Sequence, residues 1–200
     1  MLVGAKGRMA TMVSLQRRSW TSWGSIMPLS LTIPPAQWSA MRECLETGGL
    51  REIGGWLAAE QLAPGKFELV GFTVDLAVGT YNRFASLPTT HGAQLDGILA
   101  ANADRSGRVD YLGEWHSHPT FPPAPSEIDL AAMTKMVEES GPSFATLLIV
   151  RLLGAAVLQA TLTTFQRGLP PEQGQLIIDH DRQAPVLFGL DVNTKNGRQS

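Results

Sequence analysis

The chain has 200 residues, 44% of them hydrophobic, and its formal net charge is −2. This length suits one domain whose core is large enough to need no disulfide support. The nearly balanced charge offers no basic surface, so we expect no nucleic-acid partner. The one cysteine, Cys44, cannot form an internal disulfide, which makes the reducing cytoplasm the expected compartment.

The first 27 residues differ in composition from the rest. Basic residues interrupt short apolar pieces here, and no acid occurs before Glu43. Because Arg8, Arg17 and Arg18 break every apolar run, we expect no secretory signal. We predict a disordered leader over residues 1–27, with an organelle-targeting peptide as the alternative. No stretch of the chain is apolar for long enough to span a bilayer, so no membrane partner is expected.

The spacing of apolar residues predicts alternating strands and helices in the first half of the chain. The predicted elements are a strand over residues 29–33, a helix beginning at Pro34 and Pro35, and strands over 53–59 and 67–78. Trp38, Met41, Cys44 and Leu45 have the spacing of a buried helix face, and Gly48 and Gly49 end that helix. The third strand is expected to carry Val70, Phe72, Val74 and Leu76 on one face.

The second half begins with a predicted helix over residues 91–103, and His91 at its start is expected to be exposed and outside any site. The following strand places Val109, Tyr111, Gly113 and Trp115 on the core face and Leu112, Glu114, His116 and His118 on the other. Then come a helix to about residue 140 with Ile128, Ala132 and Met136 on one face, a hairpin of residues 144–153 and 155–165, and short edge strands over 176–178 and 186–188.

One stretch carries the residues of a catalytic metal site. His116 and His118 are two residues apart in a strand, so both project from the same face. Ser126 is a good helix N-cap, and Asp129 follows three residues later in the first turn. The proline-rich loop between residues 119 and 125 can bring that turn back over the end of the strand. We therefore expect His116, His118 and Asp129 to form a cluster with the Ser126 hydroxyl beside it.

Zinc is the expected occupant, because catalytic zinc sites take three His or carboxylate ligands and leave a fourth position for water. A proton shuttle must come from elsewhere in the chain, and Glu52 is the preferred candidate. Glu46 stands before Thr47, Gly48 and Gly49 in a similar string and is the competing base. Cys44 could act as a nucleophile, but it lies in a predicted amphipathic helix with no histidine nearby, so packing is favoured.

These residues resemble the motif of the JAMM (JAB/MPN) metalloprotease family. The Glu-x-Gly-Gly-x-Leu string beginning at Glu52 precedes His-Ser-His-Pro at residues 116–119, with Ser126 and Asp129 at the family's offsets. Within the family, residues 111–119 are similar to a bacterial branch encoded beside ubiquitin-like E1 and E2 enzymes, which includes deconjugating peptidases of CBASS antiphage islands. The resemblance spans about residues 29–168, and it favours Glu52 because Trp56 and Leu57 follow it directly.

The resemblance implies an α/β fold: one JAMM domain over residues 28–168 whose curved, largely antiparallel sheet is flanked by helices. Residues 169–200 would form a C-terminal extension with a flexible tail. It also implies one zinc per chain held by His116, His118 and Asp129, Glu52 as the proton shuttle, and Ser126 as hydrogen-bond donor to the oxyanion. Glu114 is expected either to hydrogen-bond a ligand histidine or to form a salt bridge.

The implied activity is hydrolysis of the (iso)peptide bond after the C terminus of a ubiquitin-like modifier, which deconjugates the modifier or matures its precursor. Expected partners are the modifier or its conjugate and E1-like and E2-like proteins of the same operon, with a role in antiphage defence. A non-catalytic scaffold that binds a ubiquitin-like partner is the alternative. DNA-repair-associated relatives share a His-x-His-Pro motif, but the acidic balance of this chain argues against that branch.

Overall fold

The computed structural model describes residues 28–76, 88–139, 142–154 and 157–179. The predicted leader, the predicted strand over residues 186–188 and the tail from Asn193 to Ser200 lie outside these ranges. The described helices and strands are β1 (Ser30–Ile33), α1 (Pro35–Gly48), β2 (Gly54–Ala63), β3 (Lys66–Phe72), α2 (Pro88–Ala101), β4 (Val109–Ser117), α3 (Glu127–Glu139), β5 (Phe144–Leu153), β6 (Val157–Gln166), β7 (Glu172–Gln173) and β8 (Gln175–Ile178).

The strands form one sheet in the order β7-β6-β5-β4-β2-β3-β1-β8. Four of its seven described pairings are antiparallel, and β1–β3, β1–β8 and β4–β5 are parallel. The Gly174 N–H donates to the Leu162 carbonyl and the Gln175 N–H to the Leu29 carbonyl, so one segment touches both edges. The sheet is therefore curved and nearly closed, which confirms the predicted α/β fold class.

The main core lies inside the curved sheet, where α1 packs. Trp38, Met41 and Leu45 of α1 are buried there with Trp115, as their spacing predicts. Gly49 ends α1 in a left-handed conformation (φ 61°), and its N–H donates to the Leu45 carbonyl. This conformation is one that glycine adopts without strain.

The two other helices cover the outer face of the sheet. Leu95 of α2 packs in a cluster with Trp56 and Tyr111, whereas Met133 and Val137 of α3 pack on β5 and β6. Because α2 covers β2 and β3 and α3 covers β5 and β6, the C-terminal end of β4 lies between the two helices. The histidines at that end of β4 therefore lie on the outer face between these two helices.

The predicted alternation along β4 is wrong in its first half. Leu57 pairs with Gly113 and Ala58 pairs with Tyr111, so Leu112 is an extra residue in a β-bulge. Leu112 consequently joins Trp115 in the inner core, and Tyr111 faces α2. Beyond the bulge the prediction is confirmed: Trp115 is fully buried in the core.

Two further predictions about elements need correction. The strand predicted over residues 67–78 ends at Phe72, and beyond it the described residues form only an isolated bridge from Asp75 to Gly54. The predicted apolar face of the helix before residue 140 is not the buried one, because Ile128 is 76% exposed. Met133 and Val137 provide the buried contacts, and Met136 is the one residue of the predicted face that packs beside them.

Candidate metal centre

The two motif histidines meet at the end of β4. Their Nε2 atoms lie 3.1 Å apart, and both side chains are buried on the outer face of the sheet. Gly54 pairs with His116 across the sheet, and a Cβ at Gly54 would lie 2.3 Å from the Trp115 carbonyl and 2.8 Å from the His116 Cβ. Glycine is therefore required at this position, because any side chain would displace His116.

The loop after β4 fixes the tautomer of His118. The His118 Nδ1 lies 2.8 Å from the Pro122 carbonyl, which can only accept a hydrogen bond, so Nδ1 carries the proton. Its Nε2 then presents a lone pair towards His116, as a metal ligand must. The Thr161 hydroxyl of β6 donates to the neighbouring Pro123 carbonyl and so ties the loop to the sheet.

Asp129 is oriented by a reciprocal cap at the start of α3. The Ser126 N–H and hydroxyl both donate to Asp129 Oδ2, at 2.8 and 2.6 Å, and the Asp129 N–H returns a bond of 3.2 Å to the Ser126 Oγ. This is the capping-box arrangement with an aspartate at the third helical position. The other carboxylate oxygen, Oδ1, lies 3.7 Å from His116 Nε2.

The three donor side chains fit a single cation. One ligand atom from each of His116, His118 and Asp129 lies within 4.8 Å of the other two. Two nitrogens on one tetrahedral zinc are about 3.3 Å apart, given zinc–nitrogen bonds of about 2.0–2.1 Å, and the observed 3.1 Å is close to this value. Two imidazoles and one carboxylate form a donor set that occurs in catalytic zinc sites.

The protonation state of His116 is suited to metal binding. Burial lowers its pKa to about 4; Asp129 opposes this shift and His118 reinforces it. The imidazole is therefore neutral at pH 7. A neutral imidazole is the form that binds metals, so no proton must be lost when the cation enters.

Glu52 is a buried residue just before β2. It is 7% exposed and immediately precedes Ile53, whose N–H donates to the Ser117 Oγ at 3.0 Å and whose carbonyl accepts the Ser117 N–H. Ile53 belongs to the inner core, and Glu52 precedes β2, which begins at Gly54. The competing base, Glu46, is exposed on α1, which packs inside the sheet.

Glu114 lies on the histidine face, behind the cluster. Its pKa is raised to about 7: burial is the main cause, a hydrogen bond from the Trp56 side chain opposes the shift, and the charge of Asp129 adds to it. The predicted salt bridge to a basic residue is not among the ion pairs of the described residues. Trp56 is a partner that the sequence did not suggest.

Cys44 lacks the environment of a nucleophile. Burial, followed by the charge of Glu43, raises the pKa of its thiol. The side chain packs against the inner core from α1, whereas the histidine cluster lies on the outer face. This location agrees with the predicted packing role.

The prediction that His91 is exposed is wrong. Its side chain is fully buried, its ring packs against Trp56 at a centroid distance of 5.6 Å, and its Nδ1 lies 2.8 Å from the Thr73 hydroxyl. Burial lowers the pKa of His91, and the nearby Asp75 partly offsets that effect. Helix periodicity could not reveal this contact, because Thr73 belongs to a segment that precedes α2.

The fold and the clustered donors define a JAB-type domain with a candidate metal centre. The family model of prokaryotic homologs of the JAB domain matches residues 34–167, and the chain belongs to this family. The solution structure of protein DSY2949 from Desulfitobacterium hafniense is similar, with a TM-score of 0.56 and 15% identity over 76% of this chain and 94% of that chain. At that identity the likeness concerns the fold alone.

No curated protein matches the chain. Among the described residues, no helix is both long and apolar enough to cross a membrane.

Proposed function

We propose that the protein is a zinc isopeptidase that hydrolyses the bond after the C terminus of a ubiquitin-like modifier. The observation that carries the proposal is the convergence of His116, His118 and Asp129 in a chain of the JAB family, which includes metalloisopeptidases. Zinc, when bound, would polarise the scissile carbonyl and make water nucleophilic near neutral pH.

Glu52 serves as the proton shuttle in this mechanism. Its carboxylate takes a proton from the attacking water and delivers it to the nitrogen of the leaving amine, a role that contributes about 10²–10⁴-fold to the rate. The support for this role is its buried place beside the Ser117 end of β4. No covalent acyl-enzyme is required, because water is the nucleophile.

Ser126 donates a hydrogen bond to the oxyanion in the proposed reaction. Loss of one such donor costs on the order of 2.7–4 kcal/mol of transition-state stabilisation. In the structure the hydroxyl donates to Asp129 Oδ2, so it must rotate away from that carboxylate when it serves the substrate. The Ser126 N–H also donates to the same oxygen, so Asp129 stays oriented when the hydroxyl rotates away.

The proposed setting is the cytoplasm of a bacterial cell that conjugates a ubiquitin-like modifier, with E1-like and E2-like partners and a role in antiphage defence. The support is the resemblance of residues 111–119 to the branch encoded in such operons. Glu114, one residue before Trp115, belongs to that motif and in this proposal hydrogen-bonds a ligand histidine.

A substrate trap tests the proposal. Glu52→Ala, expressed in the native host, should retain a modifier joined to its target, and added wild-type protein should release the two as separate chains. Glu46→Ala is the matched control and should cut at the wild-type rate. A chelator should stop release, whereas a thiol alkylator should not. Recovery of an intact partner that wild-type protein never cuts would contradict the enzyme and support a scaffold that binds a ubiquitin-like protein.

A further inference from the structure

Thr73 is a fully buried residue that joins three elements by hydrogen bonds. Its N–H donates to the Trp56 carbonyl at 2.9 Å, and its Oγ1 accepts the Trp56 N–H at 2.8 Å. Its carbonyl accepts the Trp115 indole N–H at 2.9 Å. The same Oγ1 lies 2.8 Å from His91 Nδ1. One threonine thus ties β2, β4 and α2 together.

Thr73 lies in direct contact with the backbone of β2. A Cβ at Gly55 would be 2.0 Å from the Thr73 carbonyl oxygen and 2.7 Å from its Oγ1. The adjacent Gly54 is kept free of a side chain by His116 on β4. The two glycines therefore let β2 fit tightly between Thr73 and the histidine strand.

The bonds of Thr73 lead to the metal cluster by two routes. On β4, Trp115 immediately precedes His116, so fixing the indole fixes the strand that presents the histidine. On β2, the Trp56 side chain hydrogen-bonds Glu114, which lies on β4 two residues before His116. The His91 ring packs on the same Trp56 and links the second route to α2.

We propose that Thr73, held by His91, is a positioning residue that sets β2 against β4 so that Glu52 and the histidines face each other. The inference rests on the proposed zinc centre and extends it to residues that do not touch the metal. Hydrogen-bonded groups behind metal ligands orient them, and their loss typically weakens metal binding or activity about 10–100-fold. A residue that only filled the core would affect stability without affecting zinc affinity.

Two substitutions at residue 73 separate shape from hydrogen bonding. Thr73→Val keeps the branched shape and removes the hydroxyl, whereas Thr73→Ser keeps the hydroxyl and removes a methyl group. We expect Thr73→Val to raise the zinc dissociation constant about tenfold and Thr73→Ser to leave it within about twofold of wild type. Leu95→Ala, which opens space in the same outer cluster, is the destabilised control and should bind zinc as wild type does.

The measurement is zinc competition against a chromogenic chelator, with thermal unfolding of each variant recorded in parallel. Where cleavage is measurable, kcat should fall for Thr73→Val while KM stays unchanged. Zinc affinity that follows thermal stability across all three variants, or a Thr73→Val variant that binds zinc normally, would overturn the positioning role. If wild-type protein binds zinc but cuts no conjugate, the isopeptidase proposal fails, and the zinc titration still decides the role of Thr73.

Discussion

At the scale of single residues, His116 occupies the space that a side chain at residue 54 would need. The pairing of Gly54 with His116 leaves no room for a Cβ, whose nearest neighbours would be backbone and the histidine itself. Such atoms cannot yield as the end of a flexible side chain can. The Gly-Gly string is thus explained by two separate close contacts, one with His116 and one with Thr73.

Gly54→Ala should therefore damage the metal centre. We expect a loss of about 1–3 kcal/mol in the free energy of unfolding from overpacking, together with weaker zinc binding as His116 is displaced. Gly97→Ala is the control, because Gly97 lies within α2 with no described atom within 4 Å of the place its new methyl group would take, and it should gain up to about 1 kcal/mol. Urea unfolding and zinc titration of both variants measure these effects, and normal zinc affinity in Gly54→Ala would contradict the account.

The sequence predicted the clustered donors because their spacing is local. His116 and His118 share a strand face, and Ser126 and Asp129 share a helical turn, so short-range geometry brings them together. Thr73 could not be predicted in the same way. Its partners are 17, 18 and 42 residues away, and no periodic pattern encodes such contacts.

At the scale of elements, α3 is rotated relative to its apparent apolar face. Asp129 must turn towards the histidines, and this orientation carries Ile128 out to solvent while Met133 and Val137 face the sheet. The predicted face failed because a helix that carries a functional residue at its first turn is oriented by that residue as well as by its apolar stripe.

The orientation of α3 predicts opposite effects for two apolar residues. Met133→Ala should cost about 2–5 kcal/mol of unfolding free energy, since a buried side chain is removed from the contact with β5 and β6. Ile128→Ser should change stability by no more than about 0.5 kcal/mol. Urea unfolding measures both, and a larger loss for Ile128→Ser than for Met133→Ala would contradict this orientation.

The bulge in β4 marks another limit of sequence-based prediction at this scale. Strict alternation assigned Leu112 to the histidine face, but one extra residue in the strand exchanges the faces before it. The assignment of His116 and His118 was unaffected because both lie beyond the bulge. Hydrophobicity could not reveal it, since Tyr111 and Leu112 are both buried, on opposite sides of the sheet.

At the scale of the whole molecule, the inner and outer faces of the nearly closed sheet are covered by different elements. The inner face holds the main core and α1, and the outer face holds α2, α3 and the donor cluster between them. The fold class followed from the motif resemblance, and most strands followed from the pattern of their apolar residues, although β3 is shorter than predicted and β7 was not predicted. The order of the strands and their closure through Gly174 depend on long-range pairing, which composition and period do not encode.

The binding of one zinc by His116, His118 and Asp129 is the claim on which the proposed function depends most directly. Metal analysis of purified wild-type protein beside His118→Ala tests it, with circular dichroism to verify that both are folded. We expect about one zinc per wild-type chain and little in the variant, because two remaining ligands hold zinc poorly. Full zinc content in a folded His118→Ala protein would contradict the proposed centre.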